Sequence, residues 1–414
     1  MRFLKKLSSE EIALYLFTLY FFIYWLAPKT SESSELKIYF IYAGVILLAL
    51  FTFVIFYLRR IRSLKTFIDV FKFDKTFDKI MLLWVAYSFI SLILSVIWKN
   101  DIVYTLFDFY LSTNIVVVYF LASAALSSKE KINNFLEYFM LAGLITSLLK
   151  IFSVYVLHFD SYKIYGGSLF KTESFFLVFL FLFSLLFYLN SNLNKKRYFA
   201  YSSLFLFAII IGMSRTVLVC SGVSLVPAFL FAKEKKSFIL RLLPVLLVAS
   251  ILSFAFFLSI GSTIDFTKIL KMRYVTTVDM GHRSISQRVN EDIAVVLQSK
   301  DSFILGKGFG AEYQTFNQKT QSNTKHFIDS NLFHLYYQQG ILGLVIFFSL
   351  FAVYFKESYR YILKTKDRKA AIIIIASSLC IFATIVASLV INSFRTSFFM
   401  VIIALSYSMI KNKK

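Results

Sequence analysis

The sequence predicts an all-α integral membrane protein of about twelve transmembrane helices with one large external loop. Its 414 residues are 58% hydrophobic, and the mean hydropathy is +0.71. A soluble domain of this size cannot bury that much apolar surface. The apolar residues form successive runs with the length that a helix needs to cross a bilayer. These runs are continuous and do not alternate as the strands of a membrane β-barrel do, so the spanning segments are predicted to be helices.

Twelve apolar runs are expected to span the membrane, and the whole chain, residues 1–414, is expected to form a single integral domain. The runs cover residues 12–27, 36–58, 78–98, 104–126, 135–159, 175–189, 198–214, 216–232, 242–260, 332–355, 370–390 and 394–410. The sixth, seventh and eighth runs are short. Between the ninth and tenth runs lies a polar segment, residues 261–331, which predicts a large extracytoplasmic loop with short helices.

The net charge of +22 predicts topology rather than a nucleic-acid partner. Basic residues concentrate in alternate loops, for example at 59–65, 195–197 and 411–414. Cytoplasmic loops carry an excess of Lys and Arg. Both termini are therefore expected in the cytoplasm and loop 261–331 outside, with the basic side chains facing lipid headgroups.

Residues 285–299 of the external loop are predicted to be helical. Apolar residues recur there at helical spacing: Val289, Ile293, Val296 and Leu297. Ser284 and Gln287 have the spacing of a capping box, which would put Arg288 in the first turn, where an anion is favoured. The alternative is an amphipathic helix resting on the membrane, with Arg288 paired to a headgroup. Spacing alone does not separate the two.

Two glycine clusters follow this helix. Gly306, Gly308 and Gly310 resemble a phosphate loop but lack P-loop spacing, so a turn that returns the chain to the membrane is expected. Gly340 and Gly343 predict a close-packing face between helices.

No metal site or cofactor is predicted. The histidines at 282, 326 and 334 are too widely spaced for a helix-borne metal pair, and the external loop contains no cysteine. His334 is expected as a polar residue at the mouth of the tenth span.

Several charges are predicted at membrane depth or at its outer edge. Lys150 and Asp108 lie inside apolar runs, where ionisable groups usually face a cavity or a partner. Arg215 and Arg395 lie in short external hinges, where snorkelling to the headgroups is the alternative. Together with Arg283 and Arg288, these two arginines are expected at one external face. Arginine binds phosphate bidentately, so the ligand is predicted to be a lipid diphosphate.

Three motifs in order resemble those of the Wzy-type O-antigen and capsule polysaccharide polymerases, which share a superfamily with the O-antigen ligases. The first is the Ser-Arg-Thr turn around Arg215. The second is Gln287-Arg288, then a helix and the Gly-x-Gly stretch at 306–310. The third is Asp329-Ser330, nine residues, then Gly340-Ile-Leu-Gly343. The ligases have His where this chain has Asp329, which favours the polymerases.

The resemblance implies a GT-C-like glycosyltransferase of the bacterial inner membrane that needs no metal. It implies undecaprenyl-diphosphate-linked glycans as donor and acceptor, with membrane lipids around them and a chain-length regulator as a candidate partner. Arg288 and Arg215 are the candidates to stabilise the leaving diphosphate. Asp329 is the candidate general base or, alternatively, a helix N-cap. The candidate substrate-binding residues are Arg283, Arg395, His334 and Lys150.

Three other functions remain open at the level of sequence. An O-antigen ligase would join the glycan to a different acceptor. A flippase or transporter of lipid-linked sugars would also use many spans, although such proteins often show repeats with broken helices, and this chain has only three prolines. A non-catalytic scaffold would not need arginines at one external face.

Overall fold

The computed structural model describes residues 76–126, 128–156, 173–190, 195–212, 215–230, 235–260, 283–317, 320–326, 328, 330–389 and 398–411. The chain divides into two compact units. The described part of unit 1 comprises residues 76–132, 288–361 and 398–411. The described part of unit 2 comprises residues 133–287 and 362–389 with the same gaps.

The described residues contain eleven α-helices, one short 3-10 helix (Lys300–Ser302) and one β-hairpin. The helices are α1 (Thr76–Ile97), α2 (Ile102–Ala125), α3 (Lys129–Val156), α4 (Glu173–Asn190), α5 (Lys195–Ile211), α6 (Arg215–Leu230), α7 (Lys235–Ile260), α8 (Arg283–Gln298), α9 (Asn331–Lys364), α10 (Arg368–Ser388) and α11 (Phe398–Lys411). The strands are β1 (Tyr313–Asn317) and β2 (Thr320–Lys325).

Ten of the predicted spans fall on helices within the described residues. Six of these helices, α1, α2, α3, α7, α9 and α10, are long and apolar enough to cross a membrane. Helices α4, α6 and α11 contain shorter apolar stretches. The first two predicted spans, 12–27 and 36–58, lie outside the described residues. The membrane class and the helical fold are thus confirmed, and the total of twelve spans stays a prediction.

In unit 1, α2 packs against α1 and α11. The N-terminus of α2 is capped by Asp101, whose carboxylate accepts hydrogen bonds from Val103 N at 2.8 Å and Tyr104 N at 3.1 Å. This cap satisfies two of the orphan amide donors that begin every helix. The connection between α1 and α2 is short and includes a positive φ of 55° at Lys99, and the two helices pack against each other.

In unit 2, α4 is buried on all sides. Its residues from Phe176 to Leu182 are fully buried, and it packs against α5 and α10. A helix that is apolar all round is expected in the centre of a bundle. Helix α7, in contrast, exposes a row of large apolar side chains, including Leu243, Leu247, Phe254 and Leu258, as a lipid-facing helix does.

The polar segment of unit 1, predicted as the external loop, contains a β-hairpin that the sequence analysis missed. Strands β1 and β2 are antiparallel, with Tyr313 opposite Lys325 and a register irregularity between Thr315 and Asn317. The prediction of short helices in this segment is met by α8, and the hairpin is an addition that it did not include. The cause is composition, because β2 is a polar stretch without the alternating apolar residues that indicate a strand.

A small hydrophobic core holds the external segment together. It consists of Val295, Ala311, Tyr313, Ile328 and Tyr337. The side chain of Gln298 also bonds both backbone groups of Gln314, at 2.8 and 3.0 Å. Helix α8, the hairpin and the start of α9 therefore fold as one body within unit 1.

Candidate functional site

Helix α9, a candidate membrane span, is broken at Gly340, close to its N-terminus. Gly340 has φ 63° and ψ −168°, which are not helical angles. The break separates residues 331–339 from the apolar stretch 341–364. Around such a break, carbonyl and amide groups lose their partners within the helix, and at a membrane surface they need replacements.

The segment 303–310 supplies these replacements. Lys307 N donates to Tyr337 O and Gly308 N to Gln338 O, both at 2.9 Å. In the opposite direction, Ile341 N donates to Phe303 O at 2.9 Å. The hydroxyl of Tyr87 on α1 donates to Gln339 O at 2.7 Å. The break is thus repaired by the glycine-rich segment and by α1.

This close approach requires glycine at two positions. A Cβ on Gly306 would lie 2.4 Å from the carbonyl carbon of Gln338, and a Cβ on Gly340 would lie 2.3 Å from Ile304 O. Both residues also have positive φ, which other residues rarely adopt. The expectation of a simple close-packing glycine pair holds for Gly343, which packs near Tyr87, but it is wrong for Gly340.

The same contacts settle the two interpretations of the glycine-rich segment. A phosphate loop presents free backbone amides to its ligand. Here the amides of Gly306, Lys307, Gly308 and Gly310 all donate to protein oxygens. The segment is therefore a turn, as expected, with none of these four amides left for a phosphate; its return to the membrane stays a prediction.

A buried carboxylate lies beneath this turn. Asp108 lies roughly 9 Å along α2 from its first residue, at 1.5 Å rise per residue. It is 4% exposed. One of its oxygens accepts hydrogen bonds from Gly310 N at 3.1 Å and from the side-chain amide of Gln338. Its other oxygen lies 3.7 Å from His334 Nε2. Asp108 therefore joins α2 to the turn and to the first half of α9.

Two buried side chains in the first half of α9 have unused hydrogen-bonding capacity. His334 is 8% exposed, and its Nδ1 has no hydrogen-bond partner in the described part of the chain. Gln339 is fully buried, and neither atom of its amide has a partner among the described residues. Unsatisfied buried polar groups are costly and are uncommon without a functional reason. The mouth of the tenth span, where His334 was expected, is therefore a polar site.

Position 288 shares a helical register with buried residues of α8. Residues 288, 291, 295 and 299 follow one another at helical spacing, and Glu291, Val295 and Ser299 are all buried. The helix begins at Arg283, so Ser284 is not its N-cap and position 288 is in the second turn. The prediction that Arg288 lies in the first turn is wrong, and the helix dipole adds little there. The side chains of Arg283 and Arg288 lie outside what the structure describes.

In unit 2, Lys150 lies beside Gly212. It is 5% exposed, and a Cβ on Gly212 would lie 2.5 Å from its Nζ. Gly212 lies two residues before Ser214 of the Ser-Arg-Thr motif, and α6 begins at Arg215. Lys150 is thus buried inside unit 2. The side chain of Arg215 is outside the described set.

Two predicted site residues, Asp329 and Arg395, lie outside the described residues. The residue after Asp329 is informative, however. The first bond of α9 runs from His334 N to Ser330 O at 3.0 Å. The residue whose carbonyl accepts the first helical bond is the N-cap. Ser330 holds that position, so the alternative role of Asp329 as the N-cap is not needed.

The sequence analysis did not identify Gln338, Gln339 or Tyr87 as site residues. It identified Asp108 only as an ionisable residue inside an apolar run. The sequence does contain an indication of this site, because Gln338-Gln339-Gly340 stands at the start of an apolar span. Buried amides and a glycine at such a place are typical of a broken helix at a polar site.

Residues 200–348 match a family model described as O-antigen ligase. The matched range begins in α5 and ends in α9, so it includes the Ser-Arg-Thr turn, α8, the glycine-rich segment and the break at Gly340. The match supports the O-antigen ligase/polymerase superfamily, whose members are glycosyltransferase-like membrane enzymes. It does not distinguish polymerase from ligase. No curated protein matches the chain.

Proposed function

We propose that this chain, part of which matches the O-antigen ligase family model, is a polymerase of undecaprenyl-diphosphate-linked oligosaccharide repeats, active at the outer face of the bacterial inner membrane. The observation that carries the proposal is the buried polar site of Asp108, His334 and Gln338 at the break in α9. It lies within a membrane-embedded unit, directly after the Asp329-Ser330 motif. Both termini are cytoplasmic in this proposal, and a chain-length regulator is a candidate partner.

The proposed reaction is an inverting glycosyl transfer. A hydroxyl oxygen of the acceptor repeat attacks the anomeric carbon of the donor glycan. The bond from that carbon to the diphosphate oxygen breaks, and undecaprenyl diphosphate leaves with the electron pair. The proton of the attacking hydroxyl passes to the Asp329 carboxylate, which acts as general base.

Fixed positive charge stabilises the leaving diphosphate in this proposal. Arg215 and Arg288 have that role, and Arg283 and Arg395 contribute to donor binding. The register that position 288 shares with buried residues of α8 supports the assignment for Arg288. The burial of Lys150 against Gly212, next to the Ser-Arg-Thr turn, supports a part for Lys150 in donor binding. His334 binds substrate through its buried Nδ1.

A ligase is the second candidate function, because the matched family model is described as O-antigen ligase. Asp329 favours the polymerase, since the ligases that the sequence resembles have His at this position. The two enzymes differ in product. A polymerase makes a longer lipid-linked glycan, whereas a ligase transfers the glycan to a new acceptor.

Reconstitution in vesicles with a lipid-diphosphate repeat unit as the only substrate tests the proposal. We expect a ladder of lipid-linked products from the wild type and much less from Arg215→Ala and Arg288→Ala. Arg288→Lys keeps the charge but loses the bidentate fork, so it is expected to give shorter products. Normal ladders from both alanine variants at equal expression would refute the diphosphate roles. Product only after addition of a second acceptor would show a ligase.

A further inference from the structure

Helix α8 has two different faces. One face, at residues 291, 295 and 299, is buried in unit 1. The other exposes four large apolar side chains: Val289 is 49% exposed, Ile293 52%, Val296 43% and Leu297 55%. Such a row on an external helix costs free energy in water, so a partner for it is expected.

The apolar surface continues beyond the helix. Phe303, Ile304 and Leu305 are 50%, 48% and 40% exposed. We call these three residues and the four on α8 the apolar strip. It is continuous with the membrane span, because Ile341 N and Leu342 N of α9 donate to the carbonyls of Phe303 and Ile304 at 2.9 and 3.2 Å.

Ile341 and Leu342 begin the apolar stretch of α9 that crosses the membrane, and both are exposed. Their exposed side chains face lipid if α9 is a span. The backbone bonds therefore hold one end of the apolar strip at the edge of the hydrocarbon region. A surface joined to a lipid-facing helix in this way fits the bilayer better than it fits a soluble partner.

A second feature marks the level of the membrane surface. Trp98, at the end of α1, is 46% exposed, and the Nζ of Lys307 lies 5.9 Å from the centre of a Trp98 ring. Partial burial lowers the pKa of Lys307, and the Asp301 carboxylate acts in the opposite direction. Tryptophan and lysine are both enriched at the headgroup level. Segment 303–307 therefore extends from the headgroups toward the hydrocarbon.

We infer that the apolar strip is a membrane-contacting surface, with α8 lying along the outer leaflet and its exposed row inserted at the boundary between headgroups and acyl chains. An amphipathic helix in this position buries its apolar face in lipid. The opposite face, which carries position 288, remains against the protein at headgroup height. The sequence left two interpretations of this helix open, an anion site at Arg288 and an amphipathic helix on the membrane surface. In this inference each interpretation applies to one face of the helix. The inference does not depend on the proposed reaction.

Spin labels in lipid vesicles test this inference. Ile293→Cys is labelled at the centre of the row, and Asp301→Cys is the matched control, because Asp301 is exposed, polar and only eight positions along the chain. The natural cysteines, Cys220 and Cys380, are both 1% exposed. A labelling stoichiometry of one by mass spectrometry verifies that neither of them reacts.

Collision with oxygen, which concentrates in lipid, is compared with collision with a water-soluble nickel chelate. We expect a ratio of oxygen to nickel accessibility several-fold higher at 293 than at 301. Equal ratios would overturn the inference in favour of a solvated helix. Shielding of the 293 label from both reagents would overturn it in favour of a protein partner or a second copy of the chain. A Val296→Cys label repeats the test if Ile293→Cys does not fold.

Discussion

Asp108 and His334 form a buried carboxylate–imidazole contact, with 3.7 Å between Oδ1 and Nε2. They come from different helices, and the remaining carboxylate oxygen of Asp108 accepts bonds from the backbone of Gly310 and the side chain of Gln338. A charge at this depth is costly unless several donors surround it. Asp108 therefore links α2 to both the glycine-rich turn and the first half of α9, and Thr105 of α2 adds a hydrogen bond to Phe309 O in the turn at 3.0 Å.

Asp108→Ala is expected to destabilise the purified protein strongly. It leaves Gly310 N and the amide of Gln338 without their acceptor, and each unsatisfied buried donor costs about 1–3 kcal/mol. Asp108→Asn retains one acceptor and should cost less. Thermal unfolding in detergent measures the difference.

The control for this series is Asp101→Asn, which makes the same chemical change at the exposed N-cap of the same helix. Asn caps helices as well as Asp does, so we expect almost no change in the unfolding temperature. Equal effects of the substitutions at 108 and 101 would show that the buried network does not hold the turn.

Gly340→Ala is expected to disrupt the junction between α9 and the glycine-rich segment. The new Cβ would lie 2.3 Å from a backbone oxygen, which no side-chain rotation relieves, and the φ of 63° adds strain. Gly222→Ala is the matched control, because Gly222 lies inside α6 with nothing within 4 Å of its Cβ position. That change should be neutral or stabilise the helix by up to about 1 kcal/mol. Unfolding midpoints of the two variants should therefore move in opposite directions, and a harmless Gly340→Ala would contradict the structure.

The sequence predicts the membrane helices well because lipid imposes a simple rule on them. Continuous apolar runs located ten of the helices that the structure describes, including the buried α4, with ends that differ by up to nine residues. The same rule explains why α9 was predicted only as a continuous span. Its first ten residues include Gln338, Gln339 and Gly340, and their significance depends on contacts with a segment more than thirty residues earlier in the chain.

The candidate site was less predictable because its parts are distant in sequence. The periodicity of α8 revealed the apolar row but not which face is buried, since the inward face includes the polar residues Glu291 and Ser299. The sequence shows Asp108 as an ionisable residue inside an apolar run. Its partners Gly310 and Gln338, however, lie more than 200 residues away in the chain. The hairpin was missed because local composition at 320–325 does not indicate a strand.

Lys150→Met is expected to weaken donor binding while the fold is retained. The substitution removes the charge next to the Ser-Arg-Thr turn and replaces a flexible chain by an apolar one of similar length. If Lys150 contacts the donor diphosphate, KM for the donor should rise with little change in the unfolding temperature. Lys79→Met, on the exposed surface of α1, is the control and should leave KM unchanged. Wild-type KM in Lys150→Met vesicles would limit Lys150 to a packing role.

Gly212→Ala should have an effect similar to that of Lys150→Met. An added Cβ would meet the far end of the lysine side chain, 2.5 Å away, so the amine must move while the backbone can stay in place. We expect a raised donor KM and a small loss of stability. Steady-state rates over a range of donor concentrations measure both variants, and a stable Gly212→Ala enzyme with unchanged KM would show that the position of this amine does not matter.

Asp329 and Ser330 are adjacent, and their proposed roles predict opposite effects. Ser330 holds the N-cap position of α9, since its carbonyl accepts the first helical bond from His334. Ser330→Ala should therefore lower the free energy of unfolding by about 0.5–2 kcal/mol and change kcat little. Asp329→Asn removes a proton acceptor without removing a cap, so it should lower kcat by a factor of about 100 to 10,000, the usual range for general-base catalysis. Rates and unfolding midpoints of the two variants, measured on the same preparations, separate the roles. If Asp329→Asn retains the full rate, the proton goes to another group, and the buried Nδ1 of His334 becomes the next candidate to test.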